Sequence, residues 1–133
     1  MTKKAGCILL DKNNKVALVC KDGKKFSFPK GHLEEGETLI ECALRETEEE
    51  TQRKCYLLSN KELIMVSYKT KKNEDVELHM YIAREDGKTS KNIPEDLQEE
   101  IFWVDMDKVE ETLTYDNLKK LWNNIKQDVY SFT

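Results

Sequence analysis

Between Glu34 and Glu50 the chain places eight glutamates (34, 35, 37, 41, 46, 48, 49 and 50) against a single arginine, Arg45. Like charges at that density repel one another, so solvent or a bound cation must compensate them. On a helix, residues three and four apart share a face, which groups Glu46, Glu49 and Glu50 with Arg45 one position to the side. Three carboxylates on one turn stabilise a helix poorly. Hard oxygen ligands grouped in this way suit Mg2+ or Mn2+, which combine carboxylates with waters and phosphate oxygens. A glutamate-rich face taken alone is most often simply solvated, and the preceding segment shifts the balance. Lys30 and His32 flank Gly31, setting a cation and an imidazole where backbone can approach a ligand closely. A basic loop directly before an acidic helix can hold a polyphosphate from one side while a metal holds it from the other.

These residues need elements to carry them. Thr38 can cap the backbone N–H of Glu41 while the Glu41 carboxylate reaches back, the reciprocal pattern of a capping box, which predicts a helix starting there. Leu39, Ala43 and Thr47, with Ile40 and Leu44 beside them, give that helix one packed face and leave the carboxylates outward. Before it, Ala5 to Leu10 and Val16 to Cys20 read as two strands joined by the polar turn Asp11-Lys12-Asn13-Asn14, a hairpin. Pro29 and Gly31 forbid a regular helix in residues 26 to 33, predicting an extended loop. After the helix, Cys55 to Leu58, Leu63 to Thr70 and Val76 to Arg84 have strand character, with Lys71 to Glu74 as a turn. Alternation sets Val76, Leu78, Met80 and Ile82 on one face and Glu77, His79, Tyr81 and Ala83 on the other. Glu85 to Gln98 reads as irregular and as a candidate mobile loop, and Glu99 to Val104 as a short strand. Leu118, Leu121, Trp122, Ile125 and Val129 mark one face of a terminal helix that packs on the core. The pattern predicts an α/β or α+β domain spanning residues 1 to 133, with helices covering a mixed sheet.

Composition bounds the function. With 133 residues, 26 acidic and 22 basic, the net charge is −4, which argues against nucleic-acid binding by bulk charge. No apolar run is long enough to span a membrane or serve as a secretory signal. Cys7, Cys20, Cys42 and Cys55 are too widely spaced for a zinc site and too few for a disulfide scaffold, predicting thiols in a reducing, cytoplasmic setting.

Gly31, Glu37, Arg45-Glu46 and Glu49-Glu50 stand at the spacing of the Nudix box, and the chain resembles the hydrolases that carry it. The predicted strands and helices on either side are similar to that family's α/β/α sandwich. The resemblance implies that Glu46, Glu49 and Glu50 hold Mg2+ or Mn2+ with the Gly31 carbonyl, that Glu37 supports the site, and that Arg45 orients the carboxylates. It implies attack of an activated water on phosphorus. A further glutamate before a tryptophan often completes such sites; before Trp103 stand Asp96, Glu99 and Glu100, of which Glu100 is taken as the candidate metal ligand. The box departs from the family at Thr47, where an aliphatic residue is usual, and at Gln52 and Arg53 in place of Gly and an aliphatic residue.

Residues 28 to 32, Phe-Pro-Lys-Gly-His, resemble the approach to the box in asymmetric diadenosine tetraphosphate hydrolases, with Lys30 and His32 on phosphates. Of the rings, Tyr81 is taken as the base-stacking candidate, Tyr68 as sheet packing, Trp103 and Trp122 as core, and His79 as a surface residue on the Tyr81 face. The expectation is a metal-dependent pyrophosphohydrolase that converts diadenosine tetraphosphate to ATP plus AMP, with a small-molecule nucleotide as partner. Nucleoside triphosphate pyrophosphatase and RNA 5′-end pyrophosphohydrolase activities are the alternatives, followed by a catalytically silent nucleotide-binding module.

Overall fold

The computed structural model describes the backbone of residues 1–133 and every side chain except those of Lys21, Ile64 and Met65. A mixed sheet runs through the middle. Strand β1 (Thr2–Leu10) lies parallel to the long strand β7 (Asp75–Lys88), in register from Thr2 opposite Val76 to Leu10 opposite Arg84. Outward from β1 come β2 (Val16–Lys21) and β3 (Lys25–Ser27); beyond β7 comes β5 (Arg53–Leu57). Three further strands branch from this path: β4 (Lys30–His32) pairs with β1, β6 (Ile64–Lys69) with β7, and β8 (Glu100–Val104) with β2.

Helix α1 (Leu39–Thr51) covers one face. It buries Cys42 and Ala43 against Ala5, Cys7, Leu9, Tyr81 and Ala83. Helices α2 (Val109–Thr112) and α3 (Asp116–Tyr130) cover the other, where Leu118, Leu121, Trp122, Ile125 and Val129 meet Ile8, Leu10, Leu18, Leu78, Met80 and Ile82. The result is the expected α+β architecture with helices on both sides of a mixed sheet. The alternation along β7 assigns its residues to these two cores as the sequence predicts, because successive side chains of a strand point to opposite faces.

Four expectations need correction. The 85–98 segment is not all loop: β7 runs on to Lys88, paired to β5 with Arg53 opposite Lys88, so the irregular connection begins at Thr89. Gly87 sits at φ 93° within that extension, which is why its glycine reads from sequence as a break. The segment before α1 holds two short strands, β3 and β4, where an extended loop is predicted. The predicted hairpin of β1 and β2 is paired only next to its turn, Leu10 opposite Val16, because β4 and β7 occupy the two edges of β1 beyond it. His79 is buried, not on the surface: its Nδ1 lies 2.7 Å from Glu62 Oε2 and its Nε2 3.3 Å from Glu77 Oε1. Two carboxylates supply the partners that let a polar ring sit inside.

No helix among the described residues is long and apolar enough to cross a membrane. Cys7, Cys42 and Cys55 carry no disulfide.

Candidate active site

The helix that carries the acidic face starts where its capping box requires. Thr38 Oγ1 accepts the Glu41 N–H at 3.1 Å, and Glu41 Oε1 accepts the Thr38 N–H at 2.9 Å. At the other end Gln52 takes the left-handed conformation (φ 59°, ψ 30°) and donates its N–H to the Glu48 carbonyl at 2.8 Å. The helix therefore stops at the position where the family usually has Gly, at a cost of roughly 1 kcal/mol for the side chain in that region. The second departure is also visible. Thr47 is buried against the sheet, and its hydroxyl has no hydrogen-bond partner among the described residues; an aliphatic side chain there would leave nothing unsatisfied.

Strand β4 brings the basic segment beside this helix. Gly31 pairs with Ala5, and a Cβ on Gly31 would lie only 1.6 Å from Glu46 Oε2, inside the volume the carboxylate occupies. Glycine is thus required by close approach: the Glu46 carboxylate rests on the Gly31 backbone. The Lys30 N–H donates to Glu50 Oε1 at 3.2 Å. The Gly31 carbonyl accepts the Cys42 thiol at 3.6 Å.

Arg45 organises the rest. Its Nε and Nη2 donate to the two Glu37 carboxylate oxygens at 2.6 and 3.0 Å, a bidentate pair. Nη1 donates to Glu49 Oε1 at 3.1 Å and lies 3.6 Å from Glu46 Oε1. Nη2 also donates to the His32 carbonyl at 3.0 Å, tying helix to β4. The Arg45 hydrogen bond holds the Glu37 carboxyl below its ordinary value, while Glu37 and the neighbouring carboxylates keep the guanidinium protonated.

The remaining carboxylates stand under strain of charge. Burial pushes Glu50 up to about 8, and repulsion from Glu46 adds to the shift against the opposing Lys30 N–H. Burial raises Glu46 to about 7, with Glu49 adding to it and Arg45 opposing it. Two half-buried carboxyls that resist ionising are a donor set matched to a small hard cation, which would favour their charged forms. Among the described residues no three His, Cys, Asp or Glu side chains converge closely enough to hold an ion unaided.

Glu46, Glu49 and Glu50 form one wall of a cavity of about 740 Å³, with Lys30, Gly31 and His32 beside them. Lys4, Lys25, Lys69 and Lys71 add positive charge around it. Two residues that the sequence assigns to the site lie elsewhere. Tyr81 does not line the cavity; it is 5% exposed in the core beneath α1, near Glu62 and Cys7. Tyr68 and Tyr115 line it instead. Tyr68 also packs on the core below α3, so its predicted sheet role and a place in the cavity coexist. Glu100 does not line the cavity either: it is exposed and sits opposite Cys20 in the β2–β8 pair. Its neighbour Glu99 takes that place, its N–H bound to the Glu50 carbonyl at 3.0 Å and its carboxylate among those that raise Glu50. One residue of strand parity separates the two, and sequence offers no landmark that counts it. Tyr115 stands just ahead of α3 and lies about 65 residues beyond Glu50, so no local pattern marks it. Trp103 is half-buried against the α1-side core, and Trp122 lies in the opposite one, as predicted.

The family that the sequence matches makes this a hydrolase acting on phosphoanhydride bonds. The NUDIX domain profile matches residues 2–125, and the chain belongs to that family. Among solved structures it is similar to an Ap4A hydrolase binary complex from C. elegans (TM-score 0.76, 18% identity, covering 99% of this chain and 100% of that one). It is also similar to a MutT protein from Bacillus halodurans (TM-score 0.72, 22% identity, 92% and 80% covered). A third likeness is to a NUDIX hydrolase from Nitrosomonas europaea (TM-score 0.72, 14% identity, 96% and 89% covered). At these identities the likeness is one of fold. Among curated proteins, none matches the sequence.

Proposed function

We propose that the protein is a metal-dependent pyrophosphohydrolase of nucleotide polyphosphates, with diadenosine tetraphosphate, cleaved to ATP plus AMP, as the leading substrate. The observation that carries this reading is one cavity lined by Glu46, Glu49 and Glu50 from α1, by Lys30 and His32 from β4, and by the rings of Tyr68 and Tyr115. Glu46, Glu49 and Glu50, with the Gly31 carbonyl, would hold Mg2+ or Mn2+; the ion supplies neutralisation of phosphate charge and lowers the pKa of water. Arg45 and Glu37 hold the helix face and the 31–32 backbone in one arrangement, so the carboxylates do not have to reorganise as substrate enters. On β4, Lys30 offers a cation and His32 a hydrogen-bonding imidazole to the phosphate chain. Glu50 and Glu99, which both line the cavity and are joined by the Glu99 N–H on the Glu50 carbonyl, are the carboxylates assigned here to take a proton from the attacking water.

Tyr68 and Tyr115 replace Tyr81 as the rings for an adenine, and base stacking on such rings contributes about 1 to 3 kcal/mol. A cavity of about 740 Å³ is of the size that takes a nucleotide moiety and several phosphates, and Lys4, Lys25, Lys30 and Lys71 set positive charge opposite its carboxylates. A cytoplasmic setting goes with this proposal, resting on cysteines whose spacing suits neither a zinc site nor a disulfide scaffold. Incubation with Mg2+ and diadenosine tetraphosphate, nucleoside triphosphates, ADP-ribose and 5′-triphosphorylated RNA tests the reading. Release of ATP plus AMP, abolished by Glu50→Gln, is the expected result; cleavage of another substrate alone overturns the substrate assignment, and cleavage of none overturns the enzyme.

A further inference from the structure

Three of the four clustered helix glutamates face the cavity, and Glu48 does not. Its carboxylate is nonetheless only 15% exposed and fully engaged: Oε2 accepts the Thr89 hydroxyl at 2.6 Å and Oε1 the Lys91 ammonium at 2.9 Å. Burial works against its charge, yet Thr89 and Lys91 hold the carboxyl below its ordinary value. Both partners belong to the connection between β7 and β8. The same connection is tied to the helix end twice through backbone, Thr89 N–H to the Gln52 carbonyl and Glu99 N–H to the Glu50 carbonyl, each at 3.0 Å. Thr89 Oγ1 in turn accepts the Lys91 N–H at 3.1 Å, closing a turn at the first attachment. The segment between the attachments carries Asp96, Leu97 and Glu99 to the cavity.

We infer that Glu48 is a positioning residue, fastening the 89–99 connection to the helix that bears the site so that Glu99 is presented beside Glu50. This rests on the reading of the cavity as a metal-dependent active site. An eleven-residue connection held only where β7 ends and β8 begins samples many conformations, and each residue fixed carries an entropic penalty. A charge-assisted pair of hydrogen bonds at its start, part-buried at Thr89 and exposed at Lys91, offsets part of that penalty before any ligand arrives. Glu99 is anchored at the β8 end by its own N–H on the Glu50 carbonyl, and Glu48 keeps the rest of the connection from pulling it away, so Glu48 acts on the chemistry without touching it.

The test uses the whole chain with Glu48→Ala, Glu48→Gln and Thr89→Val, read first by amide hydrogen exchange without metal, then by Mn2+ titration. Glu48→Ala and Thr89→Val are expected to speed exchange in residues 89–99 by about ten-fold or more, with α1 as protected as in the unaltered protein. Mn2+ affinity should fall several-fold in both, and kcat should fall more than KM rises. Glu48→Gln keeps an acceptor for Thr89 and should recover most of the protection. Unchanged exchange in 89–99 on Glu48→Ala and Thr89→Val overturns the inference. So does equal loosening of α1, which would make Glu48 a general stabiliser, and so does failure of the Gln variant to recover any protection. Absence of Mn2+ binding to the unaltered protein would count against the active-site reading instead, and the exchange comparison would still decide the fastening.

Discussion

Replacing Glu50 with Gln should make the metal-free protein more stable at alkaline pH while removing its activity. In the folded chain Glu50 titrates at about 8, against an ordinary value of 4.5. A carboxyl whose folded pKa lies above its unfolded one binds protons more tightly when folded, so its contribution is fully present below about 4.5. It is lost progressively as pH rises through about 8. Three and a half pKa units at 1.36 kcal/mol each set an upper bound of about 5 kcal/mol; water penetration and relaxation around a half-buried group reduce this to about 2 kcal/mol. Gln keeps an acceptor for the Lys30 N–H without the charge that Glu46 repels. In a chain of this size about 2 kcal/mol corresponds to a rise in Tm of roughly 5 to 10 °C. The assay is thermal unfolding by circular dichroism with EDTA, at pH 5 and at pH 8.5. The variant should gain several degrees at pH 8.5 and almost nothing at pH 5, and Mg2+ should stabilise the unaltered protein more than the variant. Equal Tm values at pH 8.5, or the same gain at both pH values, would refute the reasoning that buried repulsion at Glu50 is held in reserve for a cation.

Three more outcomes follow from the geometry. Gly31→Ala drives a methyl into the Glu46 carboxylate and should lower kcat by about 100-fold, the scale of a 1 Å displacement of a catalytic group, while circular dichroism shows an intact fold. Tyr115→Ala should raise KM for diadenosine tetraphosphate by about ten-fold, in line with the loss of one stacked base, whereas Tyr81→Phe should leave KM unchanged. Thr47→Val and Gln52→Gly should each raise stability in urea unfolding by about 1 kcal/mol, the first by removing a buried orphan hydroxyl and the second by relieving a left-handed side chain.

Much of the site was legible because its signals are local. The capping box of Thr38 and Glu41, the face shared by Glu46, Glu49 and Glu50, and the close approach at Gly31 all depend on residues within one helix and the strand just before it. So was the order of elements, since the period of apolar residues marks β7 and α3 whatever they pack against. The errors have a common origin. Tyr81 and His79 share a strand face, and alternation placed them there correctly, but what covers that face depends on α1 and on Glu62 from another part of the chain. The choice between Glu99 and Glu100 turns on where β8 begins, which is set by its pairing with β2.

By itself, then, the sequence determined the helix with its acidic face, the glycine beneath it, the class of chemistry and the layering of helices on a mixed sheet. Periodicity and capping are properties of neighbouring residues, and they survive without knowledge of the rest. Tertiary structure alone decided which rings border the cavity, which glutamate of β8's approach enters it, and that Glu48 and Gln52 fasten the 89–99 connection to the helix. Those pairings join residues up to tens of positions apart, and side chains that meet only through the fold leave no spacing for the sequence to record.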